Sequence, residues 1–127
     1  MTPLRSIMMM VLLSGVLFLG CQEKNYLELG GTLDRTTLIE NAVGFETFRS
    51  GQESDSLVLT GTIGKVCPAG CWFYLLEDAD MVYVDVLGDF EVPQSASGKT
   101  AWVQGRINGE GGARILQGTR VLVAPEK

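Results

Sequence analysis

The sequence predicts an all-β domain: a small five-stranded barrel preceded by a short helix and loop segment. Five runs rich in β-branched and aromatic residues follow one another at roughly ten-residue spacing in the second half of the chain. Turn-forming residues separate these runs, and glycines inside them allow the sharp coiling that a small barrel needs. Short, evenly spaced strands of this kind favour a barrel that is closed or half closed.

The five predicted strands lie between residues 57 and 124. The first covers Leu57–Val66, where Gly61 and Gly64 predict a bulge or a sharp coil. The others cover residues 71–77, 81–87, 100–107 and 114–124. Three meandering strands, an irregular link and two further strands follow the order of the OB-fold, so we expect an OB-fold-like barrel. A five-stranded fragment of a sandwich is the alternative.

The segment before the strands predicts one short amphipathic helix over residues 37–48, because its apolar side chains recur at helical spacing. Thr36 or Thr37 is the expected cap, with Glu40 three residues after Thr37. Residues 22–31 are expected to be a tether, although some of their apolar side chains can dock. We therefore divide the chain into a signal segment, a tether with a short helix, and a barrel, at residues 1–20, 21–55 and 56–125.

Residues 1–20 have the organisation of a secretory signal sequence. Arg5 supplies the positive charge, an apolar run extends from residue 7 to residue 19, and the small residue Gly20 precedes Cys21. The run is shorter than the about 17–25 residues that a membrane-spanning helix needs. We therefore expect this segment to be cleaved. The alternative is a buried apolar helix with an incidental cysteine.

Gly20 and Cys21 resemble the lipobox of bacterial lipoproteins, although Phe18 and Leu19 stand where that family usually has Leu and a small residue. The resemblance implies that Cys21 is acylated, with palmitate among the acyl groups, and becomes the first residue of the mature protein. It implies attachment to the membrane through the lipid at Cys21. The expected location is the cell membrane or the outer membrane, facing the periplasm. Gln22, rather than Asp, follows the cysteine, which favours the outer membrane.

The composition excludes several classes of function. The chain has 15 acidic and 10 basic residues and a net charge of −5, and residues 1–20 contain one Arg and no acid. We expect no nucleic-acid partner, because such an acidic chain lacks the basic surface that phosphates require. The chain also has no His, the usual general base and the commonest metal ligand. We therefore expect no catalytic residue, no enzyme activity and no cofactor.

The segment from Cys67 to Cys71 is the one local motif whose side chains can react with each other or bind a metal. Pro68 favours the first corner of a type I turn, and Gly70 can take the left-handed position of a three-residue hairpin loop. This geometry places Cys67 and Cys71 opposite each other, so that small adjustments permit a disulfide. Closing so short a loop would stabilise the fold by only about 2 kcal/mol.

Four interpretations of the cysteine pair stay open. Cys67 and Cys71 can form a structural disulfide, bind a soft metal such as Cu(I) or Zn, act as a redox pair, or remain free and uninvolved. For the metal, Met81, Asp80 and Glu77 are candidate further ligands, but they are expected at the opposite end of a hairpin from Cys71. For the redox pair, three residues separate the cysteines instead of two, and no helix N-terminus lowers a thiol pKa.

Five aromatic residues can form an exposed stacking face of the kind that OB barrels use for ligands: Trp72, Phe73, Tyr74, Tyr83 and Trp102. Alternation predicts that about half of them point into the core instead. Asp85 alternates with apolar residues and is expected to face solvent. The acidic segment 77–80 is expected to be a solvated turn.

Residues 57–107 resemble a small family of exported, OB-fold-like bacterial domains of unknown function. The resemblance rests on Gly61, Val66-Cys67, Gly70-Cys71-Trp72 and Val92-Pro93, which match a Cys-x-x-x-Cys-Trp motif between the first two strands. Residues 37–51 resemble the helix and loop that precede the barrel in that family. The resemblance implies the fold and the cysteine pair, and it supplies no activity.

These observations predict a lipid-anchored protein of the cell envelope. Its barrel is expected to be a binding or adaptor module without catalytic activity, for an envelope protein or a small ligand. The alternative is an envelope thiolate site that binds Cu(I) or Zn through Cys67 and Cys71.

Overall fold

The computed structural model describes residues 25–30, 34–50, 57–86, 90–109 and 114–125. The strands within these residues are β1 Leu27–Leu29, β2 Ala42–Val43, β3 Leu57–Val66, β4 Trp72–Glu77, β5 Asp80–Val86, β6 Thr100–Asn108 and β7 Ile115–Val123. The helices are α1 Arg35–Glu40 and α2 Phe45–Arg49, with a 3-10 turn over Gln94–Ala96. Among the described residues, no helix is long and apolar enough to cross a membrane.

Strands β3 to β7 form a closed ring. β3 pairs antiparallel with β4 and β6, β4 pairs with β5, and β6 pairs with β7. The ring closes between β5 and β7, which run parallel with Val84 opposite Leu116 and Val86 opposite Gly118. Each predicted strand is present with ends within one residue of the prediction. The prediction of an all-β, OB-fold-like barrel is confirmed, and the closed ring excludes a sandwich fragment.

β3 is strongly coiled because its two halves pair with different strands. Its first half pairs with β6 and its second half with β4, with a shift of register between Ile63 and Val66. Gly64 lies within this shift, as predicted. At Gly61 a Cβ atom would come within 2.5 Å of the carbonyl oxygen of Leu76. Glycine is needed there because β3 and β4 approach closely as the barrel curves.

The prediction of one helix over residues 37–48 is wrong. α1 ends at Glu40, β2 follows and pairs in parallel with β3, and α2 begins after Gly44. β6 occupies one edge of β3 at this level, and β2 pairs along the other edge before β4 begins. The pairing satisfies backbone groups that a continuous helix would leave exposed on β3, and Gly44 lowers the cost of the break.

The cap of α1 also differs from the predicted Thr36 or Thr37. Asp34 is the N-cap: its carboxylate accepts hydrogen bonds from the backbone N–H of Thr37, at 3.3 Å, and from the hydroxyl of Thr37. The hydroxyl bond, and then the backbone bond, hold the pKa of Asp34 below its ordinary value. Thr37 therefore donates to the cap and does not provide it.

Part of the predicted tether is docked on the barrel. β1 pairs antiparallel with the end of β7, with Leu27 opposite Val123. The neighbouring Tyr26 packs near Trp102 with ring centroids 6.2 Å apart, and the guanidinium of Arg35 lies 5.1 Å from the Tyr26 ring. These contacts cover a small outer cluster of Leu38, Val58 and Leu122.

The main core fills the ring and includes α2. Phe45 is 1% exposed and packs with Phe48 in the same cluster as the inward-facing strand residues. Arg114 donates from its guanidinium to the carbonyl oxygens of Phe48 and Arg49 at the end of α2. Arg49 in turn forms an ion pair of 2.9 Å with Asp80 at the β4–β5 turn. The helix is therefore fixed to the barrel through both apolar and polar contacts.

We expect Phe45→Ala to lower the free energy of unfolding by about 3–5 kcal/mol, because it removes a buried ring from a closed core. Urea denaturation followed by tryptophan fluorescence measures this change. The control is Ile39→Ala on α1, where the side chain is 40% exposed and the expected change is within about 0.5 kcal/mol. Equal, small effects of both substitutions would show that α2 does not belong to the core.

Candidate functional site

The β3–β4 connection is a tight loop from Cys67 to Cys71. The backbone N–H of Gly70 donates to the carbonyl oxygen of Cys67 at 2.8 Å, and the N–H of Cys67 donates to the carbonyl oxygen of Trp72 at 2.9 Å. Gly70 has a φ of +75°, while Pro68 lies at the first corner. The predicted turn with a left-handed glycine is confirmed.

Hydrogen bonds from two other segments fix this loop. The N–H of Val86, at the end of β5, donates to the carbonyl oxygen of Cys71 at 3.0 Å, and the N–H of Val92 donates to that of Gly70 at 3.0 Å. The side-chain amide of Gln94 donates to the carbonyl oxygen of Cys67 at 2.7 Å. Gln94 was not predicted as part of this loop, since it lies 27 residues from Cys67 and no local pattern in the sequence links the two.

The two cysteine sulfurs meet but differ in exposure. Their Sγ atoms lie 3.3 Å apart, and neither is bonded covalently in the structure. Cys67 is buried at 9% exposure, whereas Cys71 is exposed. The expected juxtaposition is therefore present, between one buried and one exposed cysteine.

The thiols also differ in acidity. A hydrogen bond from the Cys71 thiol, and then one from the backbone N–H of Ala69, hold the pKa of Cys67 below its ordinary value. The N–H groups of Cys71 and Gly70 add to this effect. The pKa of Cys71 is raised, first by its bond to Cys67, then by desolvation and by the charge of the Cys67 thiolate.

Three aromatic rings lie on the outer face of β4 and β5, directly after the loop. The ring centroids of Trp72 and Tyr83 are 5.8 Å apart, those of Trp72 and Tyr74 are 5.5 Å apart, and those of Tyr74 and Tyr83 are 5.8 Å apart. Such separations are typical of packed aromatic pairs. We call Trp72, Tyr74 and Tyr83 the aromatic face. All three side chains are partly exposed.

Three of the five predicted aromatic residues thus form this face, and two do not. Phe73 is fully buried in the core, as the alternation along β4 requires. Trp102 lies on β6 and packs with Tyr26 instead. Asp85 is partly exposed, lies opposite Trp72 across the strands and shares the outer side of β5 with Tyr83. Desolvation, and then the charge of Asp85, raise the pKa of Tyr83.

The structure brings no third ligand to the two sulfurs within the residues it describes. Met81 pairs with Leu76, and Asp80 pairs with Glu77, at the end of the hairpin opposite Cys71. The expected offset is therefore confirmed. In the described ranges, no group of three or more His, Cys, Asp or Glu side chains is arranged to hold a metal ion. Of the predicted metal ligands in that part of the chain, the two sulfurs meet each other, whereas Met81, Asp80 and Glu77 lie at the far end of the hairpin.

Cys21, the predicted lipidation residue, and the predicted signal segment 1–20 lie outside the described residues. No known protein family, curated protein or solved structure matches the chain.

We expect Gly70→Ala to destabilise the protein by about 1–3 kcal/mol more than Gly98→Ala. Both glycines have a positive φ, but a Cβ at Gly70 would come within 2.7 Å of the carbonyl oxygen of Val92, and one at Gly98 meets nothing within 4 Å. Gly98→Ala should cost about 1–2 kcal/mol from backbone strain alone. Urea denaturation of the reduced variants measures the difference, and equal costs would contradict the close approach of loop and Val92.

Proposed function

We propose that this chain is a lipid-anchored protein of the cell envelope whose barrel is a non-catalytic binding module. The aromatic face is the observation that carries the proposal. It lies on the second and third strands of the five-stranded ring, β4 and β5. In OB-folds this is the surface that takes ligands.

The composition of the face supports a macromolecular partner. Trp and Tyr are the residues most enriched where protein interfaces concentrate their binding energy. Here they form a continuous patch, extended by Met81, which is 60% exposed. Because all three rings already pack on one another, the partner would meet a preformed surface and little side-chain entropy would be lost.

The charge of the face restricts that partner. β4 and β5 contain no Lys or Arg, and Asp85 lies beside Trp72. Since phosphate recognition depends on basic side chains, this surface is unsuited to nucleic acid. A neutral or basic envelope protein fits it better. The lack of His in the chain supports a binding role over acid–base catalysis.

The pairing of β1 with β7 limits how far the barrel can lie from the membrane. If Cys21 carries the lipid, only residues 22–26 separate it from Leu27, which is already paired with β7. Five extended residues span at most about 18 Å. The barrel would therefore lie close to the lipid headgroups, and its partner would be found at the membrane surface.

The anchor is tested by expressing the full chain in a bacterial host supplied with an alkyne-labelled fatty acid. We expect the label on the chain and the chain in the membrane fraction, with Cys21→Ser losing both. Cys71→Ser is the matched control and should keep both. Equal labelling of the Cys21→Ser variant, or a soluble unlabelled chain, would contradict lipid anchoring.

The binding surface is tested by placing a photo-crosslinking phenylalanine analogue at Tyr83, in the membrane-bound full chain. The control position is Arg106, an exposed residue of β6, which pairs with neither β4 nor β5. We expect a discrete adduct from position 83 and none from position 106. Trp72→Ala should weaken capture about 30-fold, as loss of about 2 kcal/mol at the centre of an interface predicts.

Adducts of equal yield from both positions would show non-specific contact and would contradict the proposal. Circular dichroism of Trp72→Ala checks that the barrel is intact, which the partial exposure of Trp72 leads us to expect. Failure of anchoring and failure of capture are independent, since the first concerns Cys21 and the second concerns the barrel.

A further inference from the structure

We propose that the loop between β3 and β4 is a reversible thiol–disulfide exchange site, in which exposed Cys71 reacts with external thiols and disulfides and buried Cys67 resolves the product. This inference is independent of the aromatic face and of the lipid anchor. It concerns the sulfur atoms alone.

The two cysteines differ in their exposure to solvent. Cys71 is exposed, while Cys67, at the start of the same loop, is 9% exposed, and Val92 and Gln94 are hydrogen-bonded to that loop. Thiol–disulfide exchange proceeds by in-line attack of a thiolate on one sulfur, so the sulfur that can be reached determines where an external molecule attaches. The external molecule is therefore expected on Cys71.

The short distance between the two sulfurs allows the second step, in which Cys67 attacks the mixed disulfide at Cys71. The Sγ atoms are 3.3 Å apart, and a disulfide needs about 2.0 Å. The bonds from Val86, Val92 and Gln94 hold the loop through its carbonyl oxygens and leave both sulfurs unconstrained by those contacts. Closing the bond thus requires side-chain movement and no refolding of the loop.

The surroundings of Cys67 suit a leaving group. The Cys71 thiol, and then the backbone N–H groups of Ala69, Cys71 and Gly70, lower the pKa of the Cys67 thiol. Exchange is faster when the leaving sulfur has the lower pKa. When an external thiolate attacks a closed disulfide at Cys71, the sulfur that departs is that of Cys67, whose pKa these N–H groups lower.

The full exchange balances with a small-molecule disulfide such as oxidised glutathione. Starting from two thiols, Cys71 first loses its proton to water. The Cys71 thiolate then attacks the small disulfide, forming a mixed disulfide and releasing one small thiolate. Cys67, after losing its proton to water, attacks Cys71 Sγ, forms the Cys67–Cys71 bond and releases the second thiolate. The loop loses two electrons and two protons, and one disulfide becomes two thiols. Two molecules of small thiol reverse both steps.

The fold tolerates both redox states. The loop already has its hydrogen bonds with the two thiols unbonded. A bridge across three intervening residues constrains the unfolded chain little, so its loss leaves the barrel intact. These properties distinguish an exchangeable pair from a bridge on which folding depends.

The test uses the full chain in detergent with Cys21→Ser in every sample, so that only the loop thiols react. Reduced protein is mixed with oxidised glutathione and followed by intact mass. The protein with both loop cysteines should lose two hydrogens and retain no glutathione. Cys67→Ser should retain one glutathione on Cys71. Cys71→Ser should react at least about tenfold more slowly, because its remaining thiol is buried.

Two results would overturn the proposal. One is a Cys67–Cys71 bond that stays closed in excess reduced glutathione, which would make it a structural disulfide. The other is equal reaction of Cys67→Ser and Cys71→Ser in the native state. The same two variants in urea should react at equal rates, which shows that any native difference comes from the fold. Tryptophan fluorescence confirms that each variant is folded before mixing.

Discussion

The parallel pairing of β5 with β7 is the contact on which the rest of the structure depends. It joins the end of the three-stranded meander to the last strand and closes the ring, so that a sheet with two open edges becomes a barrel with one interior. Closure gives every strand an inside and an outside. The inside becomes the core that Phe45 and Phe48 complete. The outside of β4 and β5 becomes the aromatic face.

Both candidate sites begin at the same point of the chain. Cys71 ends the loop and Trp72 begins β4, so the sulfur pair and the aromatic face are covalent neighbours. Asp85 connects them electrostatically, since it pairs with Trp72 and its charge acts on both Cys71 and Tyr83. After desolvation and the charge of Asp85, the charges of Cys71 and Cys67 also raise the pKa of Tyr83. The hydrogen bond from the N–H of Val86 to the carbonyl oxygen of Cys71 also connects the loop to β5.

The segment before the barrel shows how tertiary contacts override a local pattern. Residues 37–48 have the spacing of one helix, yet the chain breaks it to add β2 to the edge of β3. Helix propensity differs by less than about 1 kcal/mol per residue for most side chains. Backbone pairing with an unfilled strand edge and burial of two phenylalanines outweigh that preference. The same reasoning explains why Leu27, within an expected tether, is paired with β7.

The sequence by itself determined the five barrel strands, the turn at Pro68 and Gly70, and the meeting of Cys67 with Cys71. These are local properties: alternation, turn chemistry and short loop length act between residues that are near in the chain. Only the tertiary structure decided that Cys67 is buried and Cys71 exposed, that Trp102 leaves the aromatic face, and that α2 enters the core. Each of these depends on segments distant in sequence, such as Val92 and Gln94 across the cysteine loop. Ring closure brings such segments together, and no periodicity within one segment encodes the contact.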